Sequence, residues 1–201
     1  MDASTPSPGP CGWAMQSPLE HQYHDHEWGV PRMDDRILFE FLVLESAQAG
    51  LSWRTVLEKR GGYRTHYAGF DPEQVAGFGE AEIAAMLADP GIIRNRAKIE
   101  ASINNARIFL DLQARYGSFA AFLWRYVEGR PIQSAFERME QIPAQTALSQ
   151  QLSKDLKREG MRFFGPTIAY AYMQAVGVVN DHLQHCPRYE ACKALGLKLP
   201  L

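Results

Sequence analysis

Apolar residues recur at helical spacing through most of this chain, and nowhere do they alternate for long enough to make a strand. The longest run covers 95–116, where Ile99, Ile103, Ala106 and Leu110 fall on one stripe. Helices are also predicted over 34–48, over 52–60 with Ser52 as cap, and over 71–75 with Asp71 as cap and Pro72 in the first turn. Further helical patterns cover 80–87, 118–127 after Gly117, 148–158 and 166–175. Two stretches resist this reading. Residues 11–31 pack two Trp, one Tyr and three His into a segment of weak periodicity, predicted to be irregular. Residues 128–148, with Gly129, Pro131 and Pro143, read as a connection with at most short helical pieces. The Pro- and Ser-rich residues 1–10 lack large apolar side chains and are expected to form a disordered tail. The pattern predicts an all-α protein with one helical domain over 11–201.

Within 34–48 the polar face is missing. Phe39, Phe41, Leu42, Val43 and Leu44 make a helix built for burial, and Glu45 sits among them. A lone ionised carboxylate in such surroundings is costly unless paired, which makes Glu45 a candidate functional residue. The plainer reading places it at the helix edge in a surface ion pair, with Trp53 as ordinary core. Gly50 should break the helix, leaving Leu51 exposed in a short turn before Trp53.

Charge and composition narrow the classes. A chain of 201 residues, 46% hydrophobic and 22% charged, is long enough to bury a substantial core. Its net charge of -2 argues against holding nucleic acid by bulk charge, although local basic patches could do so. No stretch approaches the roughly 18 apolar residues that span a bilayer. Cys11, Cys186 and Cys192 cannot all pair, which suits a reducing cytoplasm. Basic residues cluster at Arg54, Lys59, Arg60 and Arg64, at Arg94, Arg96, Lys98 and Arg107, and at Lys154, Lys157, Arg158 and Arg162. Such clusters are usually solvated helix faces. The third borders a turn with Gly165 between two helices, a hairpin whose amides could hold a phosphate, although helix pairs joined by Gly are also common packing units.

His182 and Cys186 are four apart, a spacing that lets two side chains on one helical turn reach a single ion. Cys11 and His24 supply the same ligand types from the aromatic segment, and the four would make a closed Cys2His2 set joining the two ends of the chain. His185, His21 and His26 are rival ligands, and a buried thiol among surface imidazoles is the plain alternative.

Five segments together resemble the 3-methyladenine DNA glycosylase I family: CGW near the start, YHDHEWGVP, LESAQAGLSWRTVL, GIIRNRAKIEASINNAR and FFGPTIAYAYMQAVGVVNDH. They run in family order from Cys11 to about Cys186. The resemblance implies a helix-hairpin-helix glycosylase that hydrolyses the bond between base and sugar of 3-methyladenine in double-stranded alkylated DNA. It implies a structural zinc on Cys11, His24, His182 and Cys186, joining the N- and C-terminal segments, and such an ion is expected to lie away from the base pocket. It also implies a base pocket with Glu45 and Tyr23 as hydrogen-bonding groups, Trp53 as stacking face, and Trp13 and Trp28 completing the wall. Gly50, Leu51, Arg162 and Gly165 would meet DNA; Leu51, in the short turn at the mouth of this pocket, is placed to act as the wedge, the plain alternative being a loop residue that covers nearby core. Methylation at N3 already makes the base a cationic leaving group, so the pocket needs stacking faces and an acceptor more than a strong acid.

Two departures bear on mechanism. The catalytic Asp of the wider helix-hairpin-helix glycosylases aligns with Asn180, Asp181 being its neighbour. The lyase Lys would fall near Pro166 or Thr167, neither of which can form a Schiff base, so the enzyme is expected to be monofunctional. The hairpin, Met161 to Gly165, also lacks the first Gly of the usual turn. The expected product is free 3-methyladenine and the expected form a cytoplasmic monomer. The rival reading from another class is a non-catalytic, zinc-clipped sensor of alkylated DNA; a glycosylase of wider range, acting on 7-methylguanine or ethenoadenine, is the enzymatic rival.

Overall fold

The computed structural model of the protein describes residues 9–197. The expected tail therefore lies outside the described residues, except for Gly9 and Pro10. Ten α-helices are described: α1 (Pro18–His26), α2 (Asp35–Gln48), α3 (Trp53–His66), α4 (Pro72–Ala76), α5 (Glu80–Ala88), α6 (Arg96–Tyr116), α7 (Phe119–Trp124), α8 (Ala147–Arg158), α9 (Pro166–Ala175) and α10 (Pro187–Gly196). None of them is long and apolar enough to cross a membrane.

The α2 helix is the axis of the core. Every residue from Leu38 to Ala47 is buried, and α3, α6, α7 and α9 pack around it. This is the packing its missing polar face requires. Asp34 caps α2 by accepting from the Arg36 and Ile37 amides, and Ser52 caps α3 through the Thr55 amide.

Several expectations need correction. The aromatic segment is ordered as a 3-10 helix (Gly12–Gln16) followed by α1. The start signal lay in Ser17, Pro18 and Glu20: the serine accepts from the Glu20 amide and Pro18 opens the helix. Its periodicity was weak because the neighbours Tyr23 and His24 are both buried, against different partners.

The α3 helix continues past Arg60 to His66, straight through Gly61 and Gly62. A side chain at Gly62 would lie 2.2 Å from the Gly91 carbonyl oxygen, so this glycine serves a close backbone approach rather than a helix stop. Downstream, α7 tightens into 3-10 geometry over Arg125–Val127. The all-α expectation yields to a mainly helical fold with one short parallel pair, β1 (Ile132–Gln133) beside β2 (Val179–Asn180), too brief to leave an alternating pattern. Finally, α10 follows Cys186 where no helix was expected.

Candidate functional site

A cavity of about 240 Å³ opens beside α2, lined by Trp13, Tyr23, Trp28, Glu45, Gln48, Trp53, Met139, Ile142, Ala171 and Gln174. All five expected pocket residues meet here. The rings form a tilted array: Tyr23 lies 5.2 Å from Trp53 and 6.3 Å from Trp13, and Trp13 lies 5.1 Å from Trp28. Glu45 is not at a helix edge. It is 3% exposed, its Oε2 has no hydrogen-bond partner, and burial pushes its carboxyl up to about 8. Tyr23 hydroxyl and Trp53 Nε1 are buried and equally unpartnered. Burial, and then the carboxylates of Glu45 and Glu27, raise the Tyr23 hydroxyl well above the usual tyrosine range.

Native interiors seldom leave three buried polar groups unpaired in one place. Here the set comprises an acceptor, a donor and a hydroxyl that can be either, around aromatic faces. A flat molecule with a polar edge would satisfy them.

Gly50 and Leu51 stand at the rim, since Gln48 and Trp53 on either side both line the cavity. Gly50 adopts φ +80 and Leu51 is 41% exposed. The tip is tied from behind by Lys98 of α6, whose Nζ donates to the carbonyls of Ala47 at 2.8 Å and Ala49 at 2.6 Å. That places a cation on the C-terminal carbonyls of α2, where it is favoured. Much of the rest of the first two basic clusters is consumed in the same way. Arg60 forks onto Glu27 and bonds Glu40, Arg96 pairs with Glu80, and Arg107 holds the Ala76 carbonyl.

The turn between α8 and α9 lies outside the cavity lining, although Ala171 and Gln174 of α9 belong to it. Asn105 of α6 is buried and grips its turn twice, accepting from the Arg162 amide and donating to the Arg162 carbonyl, both at 2.9 Å. The turn lacks its first Gly, yet Phe163 takes the left-handed conformation there, φ 52. Gly165 is the cap residue of α9 with φ -70, so its conformation does not demand glycine. Arg162 and Gly165 are both exposed.

Cys11, His24, His182 and Cys186 converge, each buried, with one ligand atom apiece inside 4.8 Å of the others. His24 Nε2 is 3.1 Å from His182 Nδ1 and 3.5 Å from Cys186 Sγ, and Cys11 Sγ is 3.8 Å from His182 Nδ1. A tetrahedral ion with ordinary metal–sulfur and metal–nitrogen lengths has edges of about 3.3–3.8 Å. The remaining ring nitrogens are also placed as ligating imidazoles need them: His24 Nδ1 lies 2.7 Å from Asp25 Oδ1, and His182 Nε2 lies 3.0 Å from the Trp28 carbonyl. The rivals His21, His26 and His185 are outside the set. Contrary to expectation, His182 and Cys186 share an irregular turn, Cys186 amide to Leu183 carbonyl, rather than a helix. A second correction concerns location. The cluster is not remote from the cavity, because Trp28 and Trp13 pack edge-on against His182 and His24.

Sequence reasoning missed Gln48, Met139, Ile142, Ala171 and Gln174. Ala171 and Gln174 are three apart on α9 and share a face, a signal visible only once the orientation of α9 is known. Met139 and Ile142 come from the loose connection and carried none. Asn180 is buried and donates to Gln133 Oε1 and the Tyr189 carbonyl, not into the cavity.

Helical packing around an aromatic cleft with an unpartnered acid defines a receptor for a flat, polar-edged ring. The Methyladenine glycosylase family model matches residues 13–189, and the chain belongs to that family. It is 46% identical over 183 residues to DNA-3-methyladenine glycosylase 1 of Escherichia coli (strain K12), covering 91% of this chain and 98% of the relative. To DNA-3-methyladenine glycosylase of Haemophilus influenzae it is 42% identical, with 88% and 96% covered. Among solved structures, a crystal structure of 3-methyladenine DNA glycosylase I matches with TM-score 0.86 and 47% identity over 89% of this chain and 98% of its own. The Staphylococcus aureus enzyme, whose structure addresses 3-methyladenine recognition, matches with TM-score 0.85 and 39% identity over 88% and 94%.

Proposed function

We propose that this protein is a DNA base-excision repair glycosylase that hydrolyses the N-glycosidic bond of 3-methyladenine in double-stranded alkylated DNA and releases the free base. The observation that carries the reading is the trio of unpaired buried groups, Tyr23 hydroxyl, Glu45 Oε2 and Trp53 Nε1, inside an aromatic cleft. The damaged nucleotide leaves the stack, its base enters between the rings, and the polar edge meets the trio. Glu45 carries most of the selectivity. A carboxyl held near 8 by burial gains from a cationic base, whose charge offsets the cost of ionising it, whereas ordinary adenine offers no such charge. The aligned position holds Asn180, and Pro166 and Thr167 stand where a lyase needs an amine, so hydrolysis is the only cleavage.

In this reading α8, its turn and α9 form the helix-hairpin-helix, with Arg162 and Gly165 toward the phosphate backbone and Leu51 and Gly50 in the duplex. The four-residue Cys and His cluster holds a structural zinc, which supplies no chemistry to the reaction. Residues 11–201 act as one glycosylase domain, a monomer in the cytoplasm where its three free cysteines stay reduced.

Incubating the protein with methylated duplex DNA and separating the released bases by chromatography tests the reading. Release of 3-methyladenine is expected. Tight retention of the lesion with no free base would identify a damage sensor instead, and comparable release of 7-methylguanine would identify an enzyme of wider range.

A further inference from the structure

Asp181 is a buried carboxylate that neither the cavity trio nor the metal cluster uses. It is 1% exposed, and among the described residues it takes part in no ion pair. Three neutral donors satisfy it: Ser134 Oγ on one oxygen, and Tyr170 hydroxyl and Gln174 Nε2 on the other. A buried carboxyl group without a cation is costly unless hydrogen bonds replace its water, which these three donors do. Of the three donors, Gln174 alone also lines the cavity.

This contact fixes how the Gln174 amide is turned. A carboxylate that already accepts from a serine and a tyrosine can only accept, so the amide nitrogen must face Asp181, at 2.8 Å. The carbonyl oxygen is thereby directed to the other side. No described donor bonds this Oε1, it is not among the sealed, unpartnered atoms, and the side chain that carries it lines the cavity. Tyr170 and Gln174 are one helical turn apart on α9 and hold the same carboxylate oxygen, which restrains the side chain further. The aromatic side of the cavity already offers three unpaired groups for a base edge. Among the other lining residues, Gln48, Met139, Ile142, Ala171 and Gln174, the polar side chains are Gln48 and Gln174.

We propose that Gln174 Oε1 holds the attacking water, with Asp181 as the positioning residue that fixes and polarises the amide. This rests on the glycosylase reading above. In the step itself, the bond between the sugar anomeric carbon and the base nitrogen breaks, and its electron pair leaves with the base, which becomes neutral. The water oxygen bonds to the anomeric carbon, and the proton it sheds passes to bulk water. Gln174 accepts no proton. It orients the water and opposes the growing positive charge with a carbonyl dipole that a buried carboxylate strengthens.

Three quantities decide the matter for wild type, Gln174→Met and Asp181→Asn: the single-turnover rate of 3-methyladenine release from methylated duplex, the Kd for free 3-methyladenine, and the thermal midpoint. For Gln174→Met we expect a rate loss of about 100-fold, the scale of one preorganised hydrogen bond, with free-base Kd within about twofold of wild type and a near-native midpoint. Asp181→Asn frees the amide to turn, and its rate loss should be smaller, about 10-fold. The double variant should be no slower than Gln174→Met, because the two act as one unit. A wild-type rate in Gln174→Met overturns the proposal. So does a proportionate loss of free-base affinity, which would make Gln174 a base contact. If Asp181→Asn does not fold, Gln174→Met decides alone. Failure of the wild-type protein to release any base would instead overturn the glycosylase reading.

Discussion

The backbone carbonyl of Trp28 accepts from His182 Nε2 at 3.0 Å, and their rings meet edge to face with centroids 4.6 Å apart. One residue thus belongs to the cavity wall and to the second layer of the metal cluster. Removing the metal should therefore act on base binding as well as on stability. We expect about one zinc per chain by metal analysis, lost in a Cys11→Ser, Cys186→Ser double variant. Chelation should lower the thermal midpoint and weaken free 3-methyladenine binding together. Stoichiometric zinc in the double variant would sink the ligand assignment.

Burial raises Glu45 from 4.5 to about 8, which makes it a source of instability at neutral pH. The folded state holds this proton more tightly than the unfolded state. Its contribution is therefore fully retained below 4.5, falls as pH rises toward 8, and levels off beyond. At about 1.4 kcal/mol per unit the loss is on the order of 5 kcal/mol. Glu45→Gln should show little stability change at pH 4 and a gain that grows to pH 9, by denaturant titration. A gain independent of pH would show that the acid is not buried as a neutral group.

The same proton should control turnover. In the proposed reading Glu45 acts as a carboxylate against the cationic base, so kcat/KM should rise with pH and level off above about 8. Glu45→Gln should be slower throughout and lose this rise. An unchanged profile in the variant would assign the titration to another group.

Leu51 and Lys98 form a tip and its support. Leu51→Ala should slow excision from duplex DNA by roughly 10-fold while leaving free-base affinity unchanged, since the side chain fills the gap in the stack. Lys98→Met should reproduce the defect in part, because it releases the Ala47 and Ala49 carbonyls beneath the tip. Equal loss on all substrates with lower stability would mark Leu51 as a core residue.

How much of this was legible depended on where the information lay. The α6 and α9 helices were readable because their signals are local, a stripe of apolar residues in one and an opening proline in the other. Glu45 stood out through its neighbours in sequence. The α3 helix was cut short because Gly61 and Gly62 look like a stop, and only contact with Gly91 explains them. The basic clusters misled for the same reason: whether Arg60 meets solvent or Glu27 depends on a partner 33 residues away. Gln174 gave no sign in sequence, since its importance comes from Asp181 and from the cavity facing it.

Cys11 and Trp28 both meet His182, a residue that comes more than 150 positions later in the chain. The wall that these residues share is therefore a long-range contact, closed by pairing distant parts of the chain rather than by any one helix. Loops of that span are slow to close, so this wall of the cleft is expected to consolidate after the local helices α2, α3 and α6 have formed.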